Sequence, residues 1–406
     1  MSGPDFDGAI TGRPAAVTSR PAGSPNRLDS PILPPGLTDE DVVGRWLAAK
    51  ASGRGRLSPA TLAQYRTEAE RLFWYAGRTG TLISAWTLDD FTAFIGFLHA
   101  PAPWAIRNPG VRRGSPNWRP FLGPLSDRSA GQTQKIVTSL FDWLRDVGYL
   151  QRNPAAGLPA VGRRLPEKQA RFLSPDDTAL LREAIAARPE PSREACLAKA
   201  RDMFAVDLFE RTGLRTTEAV RCRMGHVKIE PVPAELRREF PDAPPFQWLL
   251  RVEHGKGGKA RWVPCDEIAL SLQAYRMAYG LSPVPAPDET LPLLLSVRRT
   301  RFGIWKGLRS RTSVWNLITG LCDEALAYAR AHRRRIDAER FETASTHWLR
   351  HSYAKGLAAA VSNGLDARAA LENMGHSDLR TFNQYVDDEP LKRALATALA
   401  RARAAR

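Results

Sequence analysis

The most chemically suggestive run in this 406-residue sequence is Thr346-His-Trp-Leu-Arg-His-Ser-Tyr-Ala, where His347 and Arg350 stand three apart. On a helix that spacing places both on one face. Two donors side by side suit the nonbridging oxygens of a phosphate. Further along, Gly375 reads as a helix terminator that leaves His376 exposed just after it, and Tyr385 follows nine residues later. Upstream, Thr212-Gly213-Leu214-Arg215 puts Arg215 at a turn between two helices, close to Glu218. The connection Gly255-Lys256-Gly257-Gly258-Lys259 presents Lys256 or Lys259 at a hairpin tip. Taken singly, each feature has a plain structural reading. The His347/Arg350 pair can be a solvated face, Tyr385 can be packing, and Arg215 can simply pair with Glu218. Other chemistries lack their parts. Gly255 to Lys259 has neither the glycine spacing nor the Ser/Thr of a phosphate-binding loop. His and acidic residues form no metal-like cluster, and no Gly-x-Ser-x-Gly elbow occurs.

In their order and spacing, Arg215, the hairpin Lys, His347-x-x-Arg350, Gly375-His376 and Tyr385 resemble the tyrosine recombinase (phage integrase) family. The likeness covers about 174–390, and more weakly 38–160. It implies a mainly α fold with a small β-hairpin or sheet: an N-terminal helical, SAM-like core-binding domain and a mixed α/β catalytic domain. It also implies an enzyme that cuts and rejoins duplex DNA through a 3′-phosphotyrosine intermediate and a Holliday junction. By that likeness Tyr385 is the nucleophile, and Arg215 and Arg350 clamp the transition state. His347 exchanges a proton or binds a nonbridging oxygen, His376 is a second phosphate donor, and Lys256 protonates the departing 5′-oxygen. Lys259 is the competing lysine, and the family's Gly-Lys-Gly pattern favours Lys256. No metal or other cofactor is expected. The physics agrees: a tyrosine hydroxyl, with an ordinary pKa near ~10, needs a base or a positive field at neutral pH. Forked guanidinium donors match the charge that accumulates on phosphorus oxygens. Three departures from the family pattern stand out. Cys222 and His226 replace a Leu and an acidic residue, Phe382 replaces a Thr, and the loop 101–125 is long.

The elements that must position these residues are also legible. Residues 1–36 are rich in Pro, Gly and Ser, carry no net charge, and read as a disordered tail. Thr38, Ser58-Pro59, Thr87, and Ser126 or Ser129 look like helix N-caps, making 37–154 a helical domain. The loop 101–125, loaded with Pro, Gly, Trp104, Trp118 and Arg, reads equally as a docking loop or a floppy insertion. A basic linker is expected over 155–172 and a catalytic domain over 173–406, opened by the helix start Ser174-Pro175-Asp176-Asp177. Gln247–Glu253 and Ala260–Pro264 should pair as a hairpin. Over 389–406 the stripe Leu391, Leu395 and Leu399 predicts an amphipathic C-terminal helix.

Charge points to the partner. Lys and Arg number 59 against 43 Asp and Glu, a net +16, and a chain this basic works most often against nucleic acid. Residues 297–350 hold twelve Lys or Arg and five acids. Arg298, Arg299, Arg301, Arg309 and Arg311, with Lys259, are the expected phosphate-tracking contacts on double-stranded DNA, and Arg333-Arg334-Arg335 form a second patch. The resemblance further implies self-association into a tetramer on DNA, with room for an accessory DNA-bending protein or a partner recombinase, and service to a mobile element. The alternatives are a catalytically silent DNA-binding protein of the same fold and a type IB topoisomerase-like enzyme. No apolar run approaches the roughly 18 residues of a membrane span. With no leader-like N-terminus, and with Cys196, Cys222, Cys265 and Cys322 scattered as reduced thiols, a bacterial cytoplasm is expected, near nucleoid or plasmid.

Overall fold

The computed structural model describes residues 26–28, 32–53, 55–158, 171–253, 260–362 and 365–375. The chain divides into two compact units, Met1–Lys168 and Gln169–Arg406. Among the described residues, no helix is long and apolar enough to cross a membrane.

The first unit is built on α1 (Asp39–Ala51), α2 (Pro59–Thr79), α3 (Leu88–His99) and α4 (Asp127–Asp146). Each starts where its capping residue stands. Thr38 and Thr87 form reciprocal capping boxes with Asp41 and Asp90, while Ser58 and Ser126 cap α2 and α4. The apolar stripes of these helices close on Trp46, Leu72, Trp86, Phe91, Phe94 and Phe141, all buried. Inside this core lies Asp39, which accepts from the Tyr149 hydroxyl at 2.6 Å and the Ser84 amide at 3.0 Å. Within the stretch expected to be a tail, Arg27 bridges to Leu150 and stacks on the Tyr149 ring; residues 1–25 lie outside the described residues. The loop 101–125 is ordered. Trp104 and Phe121 both pack on Trp74, Ile106 pairs with Phe121, and Arg107 and Arg113 flank the Trp118 ring. Most of the expected linker, 159–170, lies outside the described residues.

The second unit runs α5 (Pro175–Ala186), α6 (Arg193–Thr212), α7 (Thr216–Arg221), β1 (Val227–Pro231), α8 (Ala234–Glu239), β2 (Phe246–Val252), β3 (Arg261–Pro264) and α9 (Ala269–Ala278). It continues with β4 (Leu295–Arg299), β5 (Trp305–Gly307), α10 (Arg311–Ala331), α11 (Ala338–Thr343), α12 (Thr346–Ser362) and α13 (Ala367–Met374). Ser174 caps α5 through a box with Asp177. The expected hairpin is present as β2–β3, Leu250 opposite Val263, and β1 extends it to an antiparallel order β1-β2-β3. A second ribbon, β4–β5, was not anticipated. Short strands of mixed composition such as Leu-Ser-Val-Arg-Arg carry little alternation to read. The core gathers α6, α9, α10 and the sheet, with Phe204 stacked on Tyr275 at 4.8 Å. Arg276 is buried there and is held in a bidentate pair with Glu289 at 2.9 Å. All four cysteines are unpaired; burial pushes the thiols of Cys222, Cys265 and Cys322 up to about 12.

The aromatic core of the first unit sets its stability. Phe94→Ala leaves a cavity beside Trp86, and a loss of about 3–5 kcal/mol is expected. Urea unfolding followed by tryptophan fluorescence measures it, and a shift below 1 kcal/mol would contradict the assignment of Phe94 to the core.

Candidate active site

The turn that carries Arg215 is a steric consequence of its neighbours. The Thr212 hydroxyl bonds back to the Leu208 carbonyl as α6 ends. Gly213 then takes the left-handed conformation, φ +57°, where a Cβ would lie 2.3 Å from the Tyr353 ring. Leu214 is driven into the core, and Arg215 becomes the N-cap of α7. Its guanidinium donates to Glu218 at 2.8 Å and to the Gly375 carbonyl at 3.0 Å. The expected pairing of Arg215 with Glu218 is present, and the same side chain also reaches the Gly375 carbonyl.

Arg350 approaches from α12. It is buried, and it donates to the Gly213 carbonyl and to the Met374 carbonyl, the latter at 2.5 Å. The Thr216 and Thr346 hydroxyls meet at 2.8 Å and join the starts of α7 and α12. Arg215 and Arg350, remote in sequence, thus converge on consecutive carbonyls at the end of α13. Gly375 terminates that helix in the left-handed region, φ +60°, as its sequence suggests. His347 lies in the first turn of α12, exposed, with its ring edge-on to His351 at 4.2 Å. Lys256, Lys259, His376, Phe382 and Tyr385 lie outside the described residues. So do Leu391, Leu395 and Leu399. The described chain reaches Gly375, the residue before His376, and β2 and β3 lie on either side of residues 254–259 in the sequence.

Two residues of this site escape a reading by motif. Glu218 is buried, and its carboxylate accepts from the Arg215 backbone and side chain and, through both oxygens at 2.9 Å, from Arg261. Burial works against its charge, but the bonds and charge of Arg261, then those of Arg215, outweigh that and hold the carboxyl down at about 2. Arg261 opens β3 on the same strand face as buried Val263. A basic residue on the core side of a strand is the signal that marks it. Cys222 and His226 sit behind Glu218, lining a small hollow with Arg221, Val252 and Glu253. The His226 Nδ1 accepts from the Arg223 amide at 3.3 Å. Among the described residues, no group of three or more His, Cys, Asp or Glu is placed to hold a metal ion.

The expected DNA-facing arginines are all exposed, on β4 (Arg298, Arg299), in its turn (Arg301) and around the start of α10 (Arg309, Arg311). Arg299 lies 4.0 Å over Trp305 and Arg301 lies 4.7 Å over Phe302, so both are splayed along the ribbon. In the second patch, Arg334 pairs with Glu183 at 2.5 Å.

A model of the phage integrase family matches residues 171–391. Tyrosine recombinase XerC of Rhodospirillum centenum is 33% identical over 338 residues, covering 79% of this chain and 83% of the relative. Tyrosine recombinase XerD of Vibrio cholerae serotype O1 is 27% identical over 351 residues, covering 86% and 91% respectively. Among solved structures, the Tn1549 transposon integrase in complex with transposon right-end DNA shares the fold, with a TM-score of 0.53 at 16% identity, covering 88% of this chain and 99% of that one. The chain belongs to the phage integrase family, the tyrosine recombinases. Its activity is site-specific tyrosine recombination.

The depressed carboxyl of Glu218 has a measurable signature. Its stabilising contribution is complete above the ordinary glutamate value of 4.5 and drains as pH falls toward about 2. Glu218→Gln should be less stable than the parent at pH 7. In urea unfolding at a series of pH values, the gap should narrow below about pH 4.5. A gap that does not change with pH would refute the charged pair.

Proposed function

We propose that the second unit cleaves one DNA strand by attack of the Tyr385 hydroxyl on a backbone phosphorus. The tyrosine–phosphorus bond forms as the bond to the 5′-oxygen breaks. The tyrosine proton passes toward His347, and Lys256 protonates the departing 5′-oxygen. Arg215, Arg350 and His376 hold the nonbridging oxygens, whose charge grows in the transition state. The reversal, with a 5′-hydroxyl from a partner duplex, reseals the strand and conserves the bond energy. The observation that supports this reading above all is the convergence of Arg215 and Arg350 on the Gly375 and Met374 carbonyls, directly before His376. Forked donors held this way stand ready for a phosphate without metal or nucleotide.

In the same reading, 37–154 is a core-binding domain and 173–406 the catalytic domain, joined by the basic stretch 155–172, and each contacts duplex DNA. Arg298, Arg299, Arg301, Arg309, Arg311 and Lys259 track the phosphate backbone and make affinity salt-dependent. Four copies act at a synapse, and the 389–406 segment, through Leu391, Leu395 and Leu399, docks on a neighbouring copy. The setting is a bacterial cytoplasm and the service of a mobile element. The bacterial sources of the relatives and the transposon integrase among the structural neighbours support this.

A nicked suicide duplex bearing the cognate site should trap a covalent protein–DNA adduct, and Tyr385→Phe should abolish it while retaining the mobility shift. Absence of any adduct would favour a silent DNA-binding protein, and site-independent supercoil relaxation by a monomer would favour a topoisomerase. Truncation after Val386 should leave DNA binding near the parent level and weaken cooperative assembly, as read by titrated mobility shift. Unchanged cooperativity would remove the docking role.

A further inference from the structure

The end of α13 shows a regularity beyond the two arginines of the motif. Three consecutive carbonyls, those of Asn373, Met374 and Gly375, each accept from a different guanidinium: Arg261, Arg350 and Arg215. Arg261 is the one that no family motif quoted above contains. It arrives from β3, the strand that follows Lys256 in the sequence, and its side chain is 11% exposed. Its fork closes on both oxygens of Glu218 at 2.9 Å, while its Nε reaches the Asn373 carbonyl at 3.3 Å. A Cβ on Gly375 would fall 2.9 Å from this guanidinium, so a side chain there would displace it.

We propose that Arg261 is a positioning residue: it neutralises Glu218 so that Arg215 keeps its charge for the phosphate, and it locks the β3 strand to the end of α13. This rests on the cleavage reading given above. The charge count explains the need. Arg215 alone with Glu218 is a neutral pair, turned inward by its own partner. With Arg261 sharing the same carboxylate, the trio carries a net positive charge, and Arg215 is oriented by Glu218 without being cancelled by it. A residue that only filled space would show no such coupling to Glu218.

The test is a double-mutant cycle in the full-length protein, with Arg261→Gln, Glu218→Gln and the double variant. The readouts are the rate of covalent adduct formation on the suicide duplex and, separately, the Kd for the uncut site. Arg261→Gln should slow adduct formation about 100-fold, in the range expected for a misplaced catalytic donor, with Kd within about threefold. Adding Glu218→Gln should restore part of that rate, because removing the carboxylate that then pairs with Arg215 alone releases Arg215. Arg261→Lys, which keeps the charge without the fork, should fall between and guards against a folding defect in the Gln variant. Near-parental cleavage by Arg261→Gln, or losses that simply multiply in the double variant, would overturn the proposal alone. Failure of the parent protein itself to form an adduct would overturn the cleavage reading as well.

Discussion

Packing several permanent cations into one small volume is the constraint on which the second unit depends. Guanidinium groups a few ångströms apart repel unless opposite charge or aligned dipoles lie between them. The structure supplies both. The last carbonyls of α13 present the negative end of a helix to Arg215, Arg261 and Arg350, and Glu218 adds one full negative charge shared between two of them. Several elements bear on this point. The α6 terminus turns sharply at Gly213, α12 carries Arg350 in beneath it, and β3 brings Arg261 across from the sheet. Segments far apart in the chain must all be in place before the cluster can exist.

Much of this was legible in the sequence because local rules and chemistry coincide. The caps at Thr38, Ser58, Thr87, Ser126 and Ser174 mark helix starts by a mechanism that acts within four residues. Gly213 and Gly375 announce left-handed turns for the same reason. An ordered pattern, rather than any single residue, singles out Arg215 and Arg350, and the fold brings the two together at the end of α13. What stayed hidden was non-local. Arg261 looks like one more arginine in a basic chain until the β2–β3 register turns it toward Glu218. Strand β1 finds its partner β2 only across the intervening α8, whereas the β4–β5 ribbon is a local hairpin whose composition is too mixed to declare it.

The first unit shows a different economy. Its helices bury an aromatic cluster, and the two acids buried with it are satisfied: Asp39 by Tyr149 and the Ser84 amide, Glu68 by Arg71 and the Thr133 hydroxyl. The loop 101–125, ambiguous by composition, resolves into a lobe fixed by rings. Trp74 serves as a common anvil for Trp104 and Phe121, and Arg113 reaches across to Glu70 at 2.8 Å. Proline and glycine set the bends of such a loop, but large apolar side chains decide whether it stays down.

The choice of arginine throughout the cluster gives it a fixed electrical character. A guanidinium remains protonated at any acidity a folded protein survives, and Glu218 gives up its proton near 2. From mildly acidic to strongly alkaline solution the charge of this cradle is therefore an electrostatic constant, a background voltage that acidity does not change.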